Sequence, residues 1–375
     1  MRRDADVAVV GGGILGLAHA LVAAREGRSV VLFERHDEAR GASVRNFGMV
    51  WPISHPPGEL RDRALRGREV WLDMARETGI WHDACGSLHL AYWPEELEVL
   101  EEFDAGPSSA GLPTEMLGPE QVRELCPGAR AQELLGGLRS DAELCVDPRE
   151  ALRAIPLWLE KEHGVVLRFG TPVDSIQGPF VETPDERWRV ERVVVCGGDD
   201  FETLYPEVFR DTGVTRCKLQ MMRTAPQPDD WAMGPMLADG MSFASYDSFR
   251  SCSSLRRLRE RIELERPEEL RRGIQAKASQ NGRGEIVVGD SHEYGLPVSD
   301  VRSAAIDRSI LDGLRRFLTV PDLEIAERWT GVYVKHFERG DLVAAPCDEV
   351  RVVTVCAGTG MTLGFGLAEE VWAAW

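Results

Sequence analysis

The chain has no run of the roughly 20 uninterrupted apolar residues that a membrane-spanning helix requires, so a membrane-embedded protein of that kind is not expected. It has little basic charge: 44 Lys and Arg stand against 62 Asp and Glu, a formal net charge of −18. Nucleic acid and anionic membrane surfaces are therefore excluded as general partners. Eight cysteines (Cys85, Cys126, Cys145, Cys196, Cys217, Cys252, Cys347, Cys356) are scattered without a C-x-x-C pair. That spacing argues against a disulfide framework or a zinc site, and most are expected to be reduced and structural. His82, His89, His163 and His292 have no metal-ligand spacing, so no metal is expected. Internal repeats and low-complexity tracts are missing, which excludes a solenoid. The start MRRDADVAVVGGG has a basic beginning, but Asp4 and Asp6 interrupt it and the glycines turn the apolar stretch back. It reads as mature protein, expected in the cytoplasm.

What remains is an ordinary globular composition, 43% hydrophobic and 28% charged, over 375 residues, long enough for two lobes with substantial cores. Glycine is concentrated where it has a use. Residues 7–16, VAVVGGGILG, predict an apolar strand entering a turn in which Gly11, Gly13 and Gly16 form a G-x-G-x-x-G set. A helix is predicted over 15–26 and a second strand over 29–33, ending at Glu34. Each part suits a dinucleotide. Gly11 allows the tight turn, Gly13 admits a pyrophosphate to the backbone, and Gly16 lets helix and strand pack closely. The helix start offers N–H groups and the positive dipole end to phosphates. Glu34 can accept from ribose hydroxyls and disfavours a 2′-phosphate. The first motif alone does not distinguish NAD from FAD.

Similar segments recur far apart. Asp147-Pro148 predicts a helix cap and first-turn proline, with a helix to about 162, then strands over 165–169 and 173–176. A strand over 189–195 ends in Cys196-Gly197-Gly198, and a strand over 350–355 leads through CAGTGMT into a helix over 363–375. Three stretches thus read as one α/β layer interrupted twice. Between them, 87–92, 218–224, 242–246, 273–279, 285–289 and 328–334 are β candidates, with a hairpin turn at Asn281-Gly282 and Gly284. The run 255–272, LRRLRERIELERPEELRR, reads as a solvated helix interrupted near Pro267.

Taken together, VAVVGGGILG at 7–16, Glu34-Arg35, Gly41-Ala42-Ser43, Gly86-Ser87-Leu88, Val146-Asp147-Pro148, VVVCGG at 193–198 and AGTGMT at 357–362 make the chain resemble the FAD-dependent glycine/D-amino-acid oxidase family, sarcosine oxidases included, from end to end. Within it, SVRNFGMVWP at 43–52, RCKLQMM at 216–222, GDSHEYG at 289–295 and RWTGVY at 328–333 look most like a branch associated with catabolism of phosphonates such as 2-aminoethylphosphonate and its N-methyl relatives. The resemblance implies a Rossmann-like FAD-binding domain (1–85, 141–215 and 331–375) interleaved with an antiparallel-sheet α+β substrate domain (86–140 and 216–330). It places the pyrophosphate on Gly11, Gly13, Ile14 and Gly16 and the adenosine ribose on Glu34. Arg35, Ala42 and Ser43 would follow the AMP and phosphates, Val173 the adenine, and Gly197 and Gly198 the same cofactor. Gly358, Gly360, Met361 and Thr362 would approach the flavin pyrimidine, where a helix starting near Thr362 would aim its N–H groups at developing negative charge.

The implied reaction is hydride removal from a carbon next to an amine nitrogen, hydrolysis of the imine, and return of electrons to O2 as hydrogen peroxide. Sarcosine oxidases place a substrate-binding lysine where this chain has Gly364, an oxygen-activating lysine near Val287, and a flavin-linking cysteine near Gly331. Noncovalent FAD and a different anion site are therefore expected. The catalytic candidates are His292, Tyr246, Tyr333 and Lys335; Arg45, Asn46, Trp51 and Lys218 are the substrate-binding ones. An amine dehydrogenase feeding a quinone or carrier protein, a nicotinamide dehydrogenase, and a noncatalytic FAD-binding subunit are the competing readings. The oligomeric state is not legible.

Overall fold

The computed structural model describes residues 2–375. Its first sheet explains the valine-rich runs. Strands Val166–Arg168, Val30–Phe33, Val7–Val10, Arg192–Val195 and Val350–Val355 lie side by side in that order, all parallel, with Asp341–Cys347 antiparallel at one edge. Val7, Ala8 and Val9 are fully buried because the central strand is covered on both faces, which is why it reads as a continuous apolar run. Helices Ile14–Arg25, Pro148–His163 and Gly360–Ala373 pack on one face through Leu17, Leu21, Ile155, Leu159, Phe365 and Leu367. The middle helix begins as expected: the Asp147 carboxylate accepts from the N–H groups of Arg149 (2.9 Å) and Glu150 (3.1 Å). Helix Glu59–Thr78 lies along the last helix, where Trp71 Nε1 donates to the Met361 carbonyl at 2.7 Å.

The second sheet has nine strands. Its spine is Thr215–Pro226, antiparallel to Ile325–Lys335 on one side and to Glu285–Gly289 and Glu293–Gly295 on the other. The sheet continues through Lys277–Gln280, Met236–Ala238, Ser87–Ala91, Gly136–Ser140 and Thr114–Leu117. All these pairs are antiparallel except Met236–Ala238 with Ser87–Ala91. One face packs on helix Ala304–Arg315 through Ile306, Ile310, Leu314, Ala276, Ile286 and Val288. The other presents Leu219, Met221 and Trp329, with Phe47, towards the first sheet. A four-stranded sheet (Arg2–Asp4, Ser175–Gln177, Phe180–Glu182, Arg187–Arg189) and a three-stranded one (Met49–Val50, His82–Asp83, Leu144–Val146) complete the β structure.

The expected hairpin is present: Asn281 Oδ1 accepts from the N–H groups of Arg283 (3.0 Å) and Glu285 (3.1 Å), closing the turn between its strands. Three expectations are corrected. Residues 242–246 form no strand, because Asp239 caps the short helix Gly240–Phe243 by accepting from the Ser242 N–H at 3.0 Å. The strand expected from 273 begins at Lys277, and the residues before it pair with the loop at Asp290. The charged run divides at Pro267 as expected, into Leu255–Glu265 and Pro267–Arg271, but it is not wholly solvated. Leu255, Leu258 and Ile262 are buried, and Arg266 is inside, 3.0 Å from Asp239 and also paired with Glu269. No helix among the described residues is long and apolar enough to cross a membrane. All eight cysteines are free thiols, six of them buried.

Candidate active site

Between the two sheets lies a cavity of about 1120 Å3. Single-ligand pockets usually enclose about 300–1,000 Å3, so it has room for a dinucleotide with a small molecule beside it. It opens beyond the carboxyl ends of the parallel strands, at Val10, Phe33, Val195 and Val355, where doubly wound sheets bind ligands. All three α/β stretches of the sequence contribute lining residues.

At one end the lining is mostly backbone. Gly11 has φ +110°, and a Cβ there would lie 2.2 Å from the Cys196 carbonyl oxygen. A Cβ on Gly16 would lie 1.9 Å from the Gly11 carbonyl oxygen, so neither position tolerates a side chain. Gly13 precedes the helix starting at Ile14, whose first-turn N–H groups have no partner within the helix. The Ile14 N–H donates to Ser43 Oγ at 3.0 Å, bringing the turn Ala42–Val44 over the glycines. Glu34 accepts from the Gly12 N–H (2.8 Å) and the His36 N–H (3.0 Å), which fixes its carboxylate at the end of the second strand. Arg35 pairs with Asp200 at 2.6 Å on the rim. Val173, Gly197 and Gly198 line the same end.

In the middle, the last helix begins at Gly360 and not near Thr362. The Thr362 N–H is already bonded to the Thr359 carbonyl (3.0 Å), and Thr362 Oγ1 accepts from the Trp51 N–H (2.9 Å). The free first-turn donors are accordingly those of Gly360 and Met361. Gly358, at φ +71°, lets the chain pass Tyr333: a Cβ there would be 2.9 Å from its ring. The cradle fits FAD on two counts. The glycine turn and the start of the last helix direct bare backbone at the space between them. In addition His55 Nε2 and Thr359 Oγ1 are buried lining atoms with no hydrogen-bond partner in the chain.

The far end is made of side chains. Tyr246, His292, Tyr333 and Lys335 all line it, with Trp51. Burial holds the Tyr246 and Tyr333 phenols well above their ordinary pKa, so both are hydroxyl donors at neutral pH. Burial lowers the Lys335 pKa, against the opposing carboxylate of Asp247, and lowers that of His292 against Asp290. Behind the wall, the fully buried His89 packs against Trp51, Phe243, Tyr246 and Phe249, its pKa pushed down to about 3 by burial.

Every expected site residue lines the cavity except Lys218. Its ammonium donates to the Val301 carbonyl (2.7 Å) and pairs with Glu293 (3.2 Å), away from the lining. Arg45 and Asn46 border the cavity with their polar groups engaged in bracing the loop. Arg45 donates to the Arg40 and Thr330 carbonyls, and Asn46 bonds Ala42, Ser43 and Gly48. Gly331 lines the cavity, whereas Gly364 and Val287 do not. The sequence reading missed Lys277, Asp290 and His55. A lysine within the apolar run IQAKAS and an aspartate directly after Gly289 were the available signals. Burial, then Arg61 and Arg63, push the His55 pKa down to about 4.

The family described as "DAO: FAD dependent oxidoreductase" matches residues 6–374. Dimethylglycine dehydrogenase of Rattus norvegicus is 27% identical over 202 residues, 52% of this chain and 23% of that protein. The chain thus spans well under half the length of such curated relatives. Among solved structures, glycine oxidase from Geobacillus kaustophilus superposes with a TM-score of 0.78 at 19% identity, covering 98% of this chain and 94% of that one. L-proline dehydrogenase from P. horikoshii gives 0.77 at 20% identity, covering 99% and 93%. These likenesses establish the fold: a Rossmann-like α/β layer interleaved with a larger, mainly antiparallel sheet.

Proposed function

The chain belongs to the DAO family of FAD-dependent oxidoreductases, and from that premise we propose that it oxidises a C–N bond of a small amine bearing an acidic group. The observation that carries this reading is the division of one cavity into a backbone cradle and a charged, tyrosine-lined end. We assign residues 1–85, 141–215 and 331–375 to the FAD-binding part and 86–140 with 216–330 to the substrate part, the strand Ile325–Lys335 crossing the boundary and carrying Tyr333 and Lys335 into the substrate end. The acceptance of a hydride from the carbon beside nitrogen is supplied by bound FAD.

The chain's own groups do the rest. Gly11, Gly13, Ile14 and Gly16 present backbone to the pyrophosphate, and Glu34 accepts from ribose hydroxyls. The Gly360 and Met361 N–H groups, at the positive end of the last helix, would face the bound flavin and favour negative charge there. Tyr246 and Tyr333 orient the substrate with hydroxyl donors, and Lys335 draws its acidic group. Enclosure favours the neutral amine, since desolvation lowers an ammonium pKa. The cofactor is held noncovalently, the imine product is hydrolysed by water, and O2 takes up the electrons as hydrogen peroxide. The substrate is an aminophosphonate or amino acid, or an N-methyl derivative of either, and the enzyme works in the cytoplasm. Dimethylglycine dehydrogenase and glycine oxidase, relatives by sequence and by fold, carry names that refer to such compounds.

An anaerobic screen of amino acids, N-methyl amino acids and aminophosphonates tests the reading. At least one acidic amine bleaches the visible flavin band of the purified protein; a flavin that no amine bleaches contradicts it. Hydrogen peroxide formed in air, measured against reduction of an artificial dye, separates an oxidase from a dehydrogenase that feeds a quinone or carrier protein.

A further inference from the structure

We infer that Lys277, Asp290 and His292 form a zwitterion-binding subsite, in which Asp290 and His292 receive the substrate ammonium and Lys277, together with Lys335, its acidic group. The inference rests on the acidic-amine reading above and assigns the polarity of the pocket.

The hairpin register puts these groups together. Lys277 stands opposite Gly289, and the loop beyond is tied back by reciprocal bonds between Gln275 and Asp290 (3.0 and 3.1 Å). Lys277 Nζ thereby lies 3.4 Å from Asp290 Oδ1 and 5.2 Å from the centre of the Phe47 ring. Both charged side chains are nearly buried, 12% and 6% exposed, and both line the cavity. Apart from this ion pair, Asp290 Oδ1 has no hydrogen-bond partner in the chain. A buried carboxylate oxygen of this kind calls for a donor.

His292 supplies the second acceptor. Its Nδ1 lies 2.8 Å from the Gly273 carbonyl oxygen, which can only accept, so Nδ1 carries the hydrogen. In the neutral ring Nε2 is then a bare lone pair, and it sits 3.9 Å from Asp290 Oδ2. The Asp290 carboxylate and His292 Nε2 are thus neighbouring acceptors among the lining residues, and a donor with at least two N–H bonds, as a primary or secondary ammonium has, can serve both. Groups facing the imidazole are Asp290 and Lys277 from the hairpin, Lys335 from the long strand, and the Tyr294 ring, stacked at 6.3 Å. Burial favours the neutral, accepting form.

The Lys277–Asp290 pair is itself a short dipole. A molecule whose amine and acid are separated by one or two carbons lies antiparallel to it, each charge against its opposite. Deprotonation follows within the same contacts. The ammonium N–H bond breaks, its electron pair stays on nitrogen as the lone pair that hydride loss requires, and the proton bonds to His292 Nε2. Asp290 then offsets the imidazolium charge.

Matched ligands test the polarity. Anaerobic holoenzyme is titrated calorimetrically with 2-aminoethylphosphonate and its amine-free counterpart ethylphosphonate, and with N-methylglycine and acetate. Asp290→Asn weakens the amine-bearing member of a pair at least about tenfold and leaves the amine-free acid unchanged or tighter, while Lys277→Met weakens both alike. Wild-type binding of the amine weakens as pH falls through the His292 titration, and His292→Gln removes that slope. An Asp290→Asn protein that binds both members as wild type does, or loses both equally, overturns this inference alone. Wild-type holoenzyme that binds neither amine overturns it together with the reading beneath it. A measurement on unaltered protein guards against a variant that fails to fold: titration in buffers of different ionisation enthalpy shows the ammonium proton retained on binding. Release of one proton per site overturns the proposal.

Discussion

The two ends of the cavity are built by different means. At the glycine end the surface is main chain, set by a strand, a turn and a helix start that lie within ten consecutive residues, and a side chain at Gly11 or Gly16 would collide with neighbouring backbone. At the far end it is side chain, assembled from a hairpin, a loop and a long strand whose residues are dozens apart in sequence. A backbone site accepts few substitutions and serves one cofactor, whereas a side-chain site can be altered one residue at a time. The first end defines the class of chemistry and the second selects the molecule.

The largest break in this comparison comes from Gly16→Val. Its Cβ would fall 1.9 Å from the Gly11 carbonyl oxygen, so the turn is displaced and the purified protein is expected to be colourless, read from its visible spectrum. Lys335→Met tests the other end. FAD content stays at the wild-type level while KM for the acidic amine found in the screen rises about tenfold or more, as expected for loss of a charge-assisted contact. An unchanged KM removes Lys335 from the pocket.

A smaller effect is expected away from the cavity lining. Glu143 accepts from the Ile53 N–H (3.0 Å) and from Ser87 Oγ (2.9 Å), and burial raises its pKa to about 7. The folded state therefore holds the proton more tightly than the unfolded one, and stability falls as pH rises from the carboxylate's ordinary 4.5 to about 7. Glu143→Gln is expected to remove a slope worth on the order of 3 kcal/mol, measured by chemical denaturation across that window. The buried His19, His55 and His89, with pKa values lowered to about 3, 4 and 3, act in the opposite sense and cost stability below about pH 6.5. Smallest is Asp147→Ala, which removes a helix cap and one of the two carboxylate partners of Arg283. It is expected to cost about 1 kcal/mol in denaturation midpoint, with FAD content unchanged.

The same contrast explains what could be read from the sequence. VAVVGGGILG, Glu34 and AGTGMT are local patterns, and every cofactor residue expected from them and their companions lines the cavity. Lys218 was misplaced because its strand, RCKLQMM, is buried along both faces, so alternation does not show which side a residue takes. Leu219 and Met221 face the cavity, which turns Lys218 and Gln220 towards Val301 and Ser303. Lys277 and Asp290 were missed because their proximity depends on a register, Lys277 opposite Gly289, that composition does not encode. The start of the last helix was set two residues late because Gly360 is a poor helix former; in the fold, hydrogen bonds from Trp71 Nε1 to the Met361 carbonyl and from the Trp51 N–H to Thr362 Oγ1 hold its first turn.

The account depends on both ends of one cavity serving one reaction. The most direct measurement is an anaerobic titration of the purified yellow protein with the acidic amine identified by the screen, following the visible flavin band, then heat denaturation to release the cofactor. The account predicts complete bleaching of one FAD per chain, all of it recovered in the supernatant. A colourless chain that takes up no added FAD, or one whose flavin no acidic amine reduces, would contradict it.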